Sequence, residues 1–310
     1  MCEHYNALGL SPETQAQLMV GVATAGGATD DQRRAEGHVG TDTAKIAHWY
    51  DLKTLWEWER TQTSCMEFAV TLRAVTEHAP RPPAAVLDLG GGPGRYALAL
   101  AEQGYDVTLF DLSARCLAFA QQQAAARGVR LTRCVQGSAT DLSPFADGSF
   151  PLVLCLGPFY HLLEAAERQR ALDEVRRVLA PSGVLVAAFL SRFAPVRFWS
   201  HHKPEVLLRD LQRDREIIET GVMPFTGNPE TTWVDAYCER PEAIQPWMEA
   251  SGFATLAILG AEGISEFAQD KAAALPPEMW ADYVELNYRL AHEPSLLGTA
   301  QHPLYVGRKP

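Results

Sequence analysis

The alternation of apolar and polar positions changes period near residue 84. Before that point Ile46, Trp49, Leu52, Leu55 and Trp56 recur at helical spacing within 44–60, which predicts an amphipathic helix. A second helix is predicted over Cys65–His78. Pro80, Pro82 and Pro83 end it, because proline lacks the backbone N–H and its ring collides with the preceding turn. Beyond the prolines, short apolar runs alternate with helical segments. Ala85–Leu89, Asp106–Phe110, Arg130–Val135, Leu152–Leu156 and Gly183–Leu190 read as strands. Between them, 96–103, 114–127 and 164–179 read as helices, stopped by Gly104, Gly128 and the Pro181-Ser182-Gly183 turn. Buried strands joined through helices make right-handed βαβ units and a parallel sheet.

Regularity lapses from Ser191 to about Pro241, where Phe193, Phe198, Trp199, Phe225, Trp233 and Tyr237 lie among prolines; this stretch reads as an insertion. The pattern resumes with a helix over 243–251 and strands over Phe253–Leu259 and Leu304–Val306. The expected architecture is an α/β fold with a doubly wound, mostly parallel, seven-stranded sheet. A helical cap over 1–80 precedes a sheet domain over 81–310, and the 191–241 insertion covers the substrate side. Residues 1–42, with the stretch GVATAGGATDD, carry only weak periodicity.

Charge narrows the partners. With 38 Asp+Glu against 27 Lys+Arg and a formal charge of −11, the chain lacks the basic face that gripping a phosphate backbone requires. The nearest approach, Arg209–Arg215, alternates with Asp and reads as a solvated helix face. Nucleic acid is therefore disfavoured as a partner. The six cysteines show no CxxC pair and no Cys/His ligand spacing, so neither a metal site nor a disulfide framework is expected. Cys155 lies inside an apolar run and reads as a small buried hydrophobe. No basic segment followed by an apolar stretch opens the chain, and no apolar run reaches the ~18 residues of a membrane span. The expectation is a cytoplasmic protein.

Candidate chemistry begins at Gly90-Gly91-Gly92-Pro93-Gly94, directly after the first strand. Glycines there allow a sharp turn and close approach of a ligand, and the next helix aims its N-terminal N–H groups at the same place. A dinucleotide fingerprint, GxGxxG, would need glycine at 95 or 97, where Arg95 and Ala97 stand. The pattern is instead Asp-x-Gly-x-Gly-x-Gly, with Asp88 ahead of the loop. A carboxylate there sits awkwardly beside pyrophosphate but suits a ligand carrying an ammonium group. Asp111 ends the second strand, at the distance from the loop where a carboxylate can accept ribose hydroxyls.

The run VLDLGGGPGRYALALAEQGYDVTLFDLS resembles the first two motifs of the class I S-adenosylmethionine-dependent methyltransferases. The likeness continues through Gly137–Asp141, Leu156–His161, Leu179–Leu185 and the closing Leu304–Pro310, and covers about residues 44–310. It implies a bacterial, small-molecule type of enzyme that uses S-adenosylmethionine. On this resemblance Asp88, Gly90, Gly91, Gly92 and Gly94 face the methionine end and Asp111 holds the ribose. Leu112 flanks the adenine, Ser138 and Ala139 border its edge, and Leu156 and Tyr160 line the methyl-donor site, with Tyr50 closing over the cofactor. His161 is the candidate general base, and Arg60 is a candidate partner for the cofactor's carboxylate. The family often has Asp where Ser138 stands, and Asp before the fourth strand, where Pro151 stands. Trp49, Trp56 and Trp58 read as an aromatic wall around the acceptor or as helix packing. The resemblance leaves three activities open: methyl transfer to a small metabolite or natural product, transfer to RNA or protein, and cofactor binding without turnover.

Overall fold

A computed structural model describes residues 40–63, 65–224 and 234–310. The segment 1–39, and Phe225 and Trp233 of the expected insertion, lie outside the described residues. Helices α1 (Thr43–Thr63) and α2 (Cys65–His78) lead into β1 (Ala85–Leu89), α3 (Arg95–Glu102), β2 (Asp106–Asp111), α4 (Ala114–Arg127) and β3 (Arg133–Gln136). Next come β4 (Phe150–Cys155), the short α5 (Pro158–His161), α6 (Ala165–Val178) and β5 (Leu179–Ala188). The sheet order is completed late in the chain by β9 (Ala254–Gly260) and β10 (Pro303–Arg308), giving β3-β2-β1-β4-β5-β10-β9. β1 to β5 run parallel, and β10 lies antiparallel to both β5 and β9. The seven-stranded, mostly parallel sheet is the one the apolar runs implied.

Period-two alternation sends each strand's side chains to two covered faces. On one, Val86, Leu109, Leu154 and Val306 pack under α2, α3, α4 and a later helix, α12 (Pro277–Ala291), through Val70, Leu100, Ala120 and Tyr288. On the other, Leu87, Val153, Leu185 and Tyr305 meet α6 and the later α10 (Pro241–Ala250) through Leu172, Val175, Ile244 and Met248. Each fully buried Leu contributes roughly 1.5–3 kcal/mol, so the core needs both helix layers. Cys155 is fully buried among them.

Several boundaries differ from the sequence pattern. β3 starts at Arg133 rather than Arg130, because pairing with β2 begins only at Thr108↔Arg133. The Pro181-Ser182-Gly183 turn is absorbed into β5 as an irregularity. Ser182 takes φ 61°, and the pairing with β4 shifts from Phe150↔Leu179 to Leu152↔Val184. The insertion after β5 has structure of its own: β6 (Leu190–Ser191), α7 (Ala194–His202), α8 (Pro204–Arg209), α9 (Leu211–Thr220), β7 (Val222–Met223) and β8 (Ala236–Glu239). Its strands form a small sheet in the order β6-β8-β7, and α10 (Pro241–Ala250) returns the chain to the core. A second excursion, which the expected elements omit, separates β9 from β10. It holds a 3-10 turn (Gly263–Ser265), α11 (Gln269–Ala273), α12 (Pro277–Ala291) and α13 (Pro294–Leu297). Helix α2 belongs to the sheet's own core, through Met66, Val70, Ala74 and Val75. Among the described residues, no helix is long and apolar enough to cross a membrane.

Candidate active site

One cleft lies over the C-terminal ends of β1, β2, β4 and β5, where ligands bind in open parallel sheets. The loop after β1 forms its floor. Gly90 takes φ 68°, and a Cβ there would lie 2.6 Å from the Pro158 ring, so only glycine lets β1 pass α5 this closely. Gly91 and Gly92 line the cleft beside it. Gly94 does not line it. It stands at the N-cap of α3 with φ 81°, where a Cβ would come within 2.9 Å of Ala120, and its role is to seat α3 against α4.

Two carboxylates meet at this floor. Asp111 is gripped by backbone: Gly92 N–H donates to Oδ2 at 2.8 Å and Ser113 N–H to Oδ1 at 2.7 Å. Burial lifts it to about 6 against those two donors. Asp88 is fully buried, and neither of its oxygens makes a full hydrogen bond among the described residues; the Ala97 N–H lends only weak stabilisation. Burial, then the neighbouring Asp111 charge, push it up to about 7. A buried carboxylate without a partner is costly, and a cationic ligand in the cleft would relieve it.

Helix α1 crosses the cleft and is tied down on its far side. Tyr50 Oη lies 2.7 Å from His161 Nε2, and His161 Nδ1 lies 3.4 Å from the Asp235 carbonyl. The carbonyl only accepts, so Nδ1 carries the proton and Tyr50 donates to Nε2. Burial lowers His161 to about 4, which keeps the ring neutral at physiological pH. The Asp235 carboxylate pairs with Lys45 of α1 at 2.7 Å. Thr41 accepts the Leu163 N–H at 2.8 Å and donates to Glu167, which pins the start of α1 to the segment following His161.

Most of the expected residues converge here: Tyr50, Asp88, Gly90, Gly91, Gly92, Asp111, Leu112, Ser138, Ala139, Leu156, Tyr160 and His161 all line the cleft. Ser138 Oγ is already engaged within its own turn, 2.8 Å from Thr140 Oγ1. Tyr160 donates to the Leu156 carbonyl at 3.0 Å. Arg60 lines the cleft but is held by Glu57 at 2.8 Å and by Glu67 at 3.0 Å. The tryptophans form no wall there. Trp58 is buried against Leu98 and Ala124, while Trp49 and Trp56 pack edge to face. His201 and His202 are exposed on α7, His201 stacked on Phe267 and His202 on Phe198.

The pattern missed a buried polar group at the β5–β10–β9 end of the cleft. Glu67, Glu262 and His302 place ligand-type atoms within 4.8 Å of one another, and Glu67 and His302 line the cleft. No local spacing announces them. They come from α2, the turn after β9 and the approach to β10.

Against known proteins, the methyltransferase domain family matches residues 86–183, from β1 into β5. The demethylmenaquinone methyltransferase of Thermus thermophilus is 33% identical over 195 residues, which are 58% of this chain and 79% of that enzyme. This chain is an S-adenosylmethionine-dependent methyltransferase. The methyltransferase is also 36% identical over 116 residues to the glycine/sarcosine N-methyltransferase of Parasynechococcus marenigrum, an alignment covering 37% of this chain and 40% of the relative's length. It is 25% identical over 228 residues to the tRNA 5-carboxymethoxyuridine methyltransferase of Escherichia coli, 73% of this chain and 80% of that enzyme. The fold is shared with a Methanosarcina mazei S-adenosylmethionine-dependent methyltransferase at a TM-score of 0.53 and 18% identity, over 76% of this chain and 96% of the other. Its cofactor is S-adenosylmethionine. The donor set fits that molecule. Asp88 lacks the positive partner an ammonium group would supply, and the lone pairs Asp111 retains suit ribose hydroxyls.

Proposed function

We propose that this methyltransferase acts on a small organic acceptor, a metabolite or natural product. The observation that carries the reading is the covered cleft. Helix α1 is tied across it by Tyr50–His161 and Lys45–Asp235, a cover that favours a small acceptor over a polymer. The acidic balance of the chain, −11 overall, argues in the same direction against nucleic acid.

Within this reading Asp88 faces the cofactor's ammonium group and Asp111 its ribose. Leu112, Ser138 and Ala139 surround the adenine, and Leu156 and Tyr160 border the methyl group. When bound, S-adenosylmethionine supplies an electrophilic methyl on its sulfonium. The protein contributes positioning and exclusion of water. His161 serves by orientation: its Nε2 is occupied by Tyr50 and its basicity is depressed, so it fixes the Tyr50 hydroxyl over the cleft instead of removing a proton. Helix α1 acts as the cover of the site, held there by His161 and by Asp235 of the insertion.

Calorimetric titration with S-adenosylhomocysteine tests the cofactor site. Wild-type protein is expected to bind at one site, and Asp111→Ala to lose tenfold or more in affinity, about 1.4 kcal/mol. Equal affinity in the two proteins would remove Asp111 from the site. A screen with methyl-labelled S-adenosylmethionine against small amines, phenols and carboxylic acids, with bulk tRNA alongside, tests the acceptor. Salt-sensitive labelling of the tRNA alone would overturn the small-molecule reading.

A further inference from the structure

We propose that His302 is the general base of methyl transfer, its Nε2 taking the acceptor's proton, with Glu262 as the positioning residue behind it. The inference rests on the methyltransferase reading of the cleft. It extends that reading to acceptors whose reacting O–H, N–H or acidic C–H must give up a proton.

The geometry is that of a carboxylate–imidazole dyad. Glu262 is 1% exposed, and its Oε2 accepts two backbone N–H groups, from Gln301 at 3.2 Å and from His302 at 3.1 Å. Those bonds fix the carboxylate, and Oε1 then meets His302 Nδ1. A carboxylate so placed holds the proton on Nδ1, orients the ring and stabilises the imidazolium that forms when Nε2 takes a second proton. The two ring nitrogens lie on opposite sides of the imidazole, so Nε2 is directed away from Glu262. His302 lines the cleft with Ala188, Ala261 and Tyr160, whose ring centre is 6.2 Å from its own. β10 carries it there: β10 pairs with β5 on one side and β9 on the other, which sets His302 at the strand ends beyond the glycine loop.

The charged groups around the ring agree with this role. Glu262 stands behind it, Glu67 of α2 lies beside it, and Arg60 of α1 is held by Glu57 and Glu67. Glu266 is close by and paired with Arg197. Burial alone would depress the imidazole. The Glu262 and Glu67 charges outweigh it and leave the group above the ordinary histidine value of 6.5. His161, the other cleft histidine, has its Nε2 filled and its basicity lowered to about 4. In the step itself the acceptor's X–H bond breaks and its proton passes to Nε2. The freed electron pair forms the bond to the methyl carbon as the carbon–sulfur bond breaks, with that bond's pair remaining on sulfur.

The test combines a measurement without turnover and one with it. In the ligand-free protein, histidine-selective nitrogen NMR should show His302 protonated at Nδ1 in its neutral form, with a midpoint above 6.5 that falls in Glu262→Gln. A neutral ring protonated at Nε2, or a midpoint indifferent to Glu262→Gln, overturns the proposal. So does stoichiometric Zn²⁺ binding that is lost in His302→Gln, since the nitrogen would then be a metal ligand. With a small acceptor from the screen above, His302→Gln should keep S-adenosylhomocysteine affinity within threefold while kcat falls a hundredfold or more. Wild-type kcat should rise with pH through the NMR midpoint, and the variant should lose that limb. Full kcat in His302→Gln refutes the base alone; absence of S-adenosylhomocysteine binding by wild-type protein refutes the reading beneath it.

Discussion

Replacing Asp88 by Asn should make the ligand-free protein more stable at alkaline pH and a poorer binder of its cofactor. Asp88 is buried, makes no full hydrogen bond and neighbours Asp111, and its midpoint moves from the ordinary 3.8 to about 7. The sign follows from linkage. The folded state holds this proton more tightly than the unfolded state, so the associated stability is complete below pH 3.8 and is lost as pH rises through 7. At pH 8 the ionised carboxylate costs the fold on the order of 4 kcal/mol, from about 1.36 kcal/mol for each tenfold change in proton affinity. Asparagine carries no charge and escapes that cost, although its buried amide needs partners of its own. A net gain of about 2–3 kcal/mol at pH 8 is therefore expected, or roughly 4–8 °C in melting temperature. The gain should shrink as the pH is lowered, vanish near about pH 5, where the carboxylate's cost only matches that of the buried amide, and reverse below it. S-adenosylhomocysteine binding should move the other way. In wild-type protein its affinity should fall as pH drops below 7 and Asp88 is neutralised. Asp88→Asn should bind at least tenfold more weakly at pH 8, with that limb flattened. Thermal melts from pH 4 to 8 and calorimetry over the range where the protein stays folded provide the readings. A variant less stable than wild type at pH 8, or one with unchanged affinity, would refute the account of an uncompensated carboxylate awaiting a cation.

Two further outcomes follow from the same geometry. Gly90→Ala forces a Cβ to within 2.6 Å of the Pro158 ring at φ 68°, and should cost about 2–4 kcal/mol in urea unfolding; an unchanged midpoint would show that the loop can relax. Lys45→Ala removes the ion pair that ties α1 to Asp235, and should speed S-adenosylhomocysteine release by about two- to fivefold in stopped-flow measurements, the scale of a partly exposed pair; an unaltered release rate would mean that α1 does not gate the cleft.

The parts of this fold that could be read along the chain are those whose cause is local. A buried parallel strand declares itself as an apolar run. The glycine loop and Asp111 belong to consecutive elements of one βαβ unit, where chain spacing translates directly into position. Local signals also misled. Pro181-Ser182-Gly183 reads as a break before a strand, yet β5 runs through it because pairing with β4 resumes at Val184 after an irregularity. The excursion between β9 and β10 is missing from the sequence reading, although α12 carries Trp280, Tyr283, Val284, Tyr288 and Ala291 at helical spacing and packs them on the core. Gly94 belongs to the motif by spacing, but its contact is with Ala120 of α4 and not with the cleft.

What could not be read is the electrostatic state of the site, because that is a property of assembly. Asp88 and Asp111 are ordinary carboxylates in the chain. They become reluctant acids only when β1 and β2 pair and helix packing removes water, with Asp88 also feeling the charge of Asp111, and Asp111 those of Asp51 and Glu57. His161 stands in the chain as the candidate base, and in the fold α1 lays the Tyr50 hydroxyl against its Nε2. Glu262 and His302 stand forty residues apart, at the end of one strand and the approach to another. Only the antiparallel return of β10 between β5 and β9 brings them together at the cleft. The same strand that closes the sheet thus delivers a histidine with its tautomer set. Sheet topology, more than any local motif, decides which of the two cleft histidines can accept a proton.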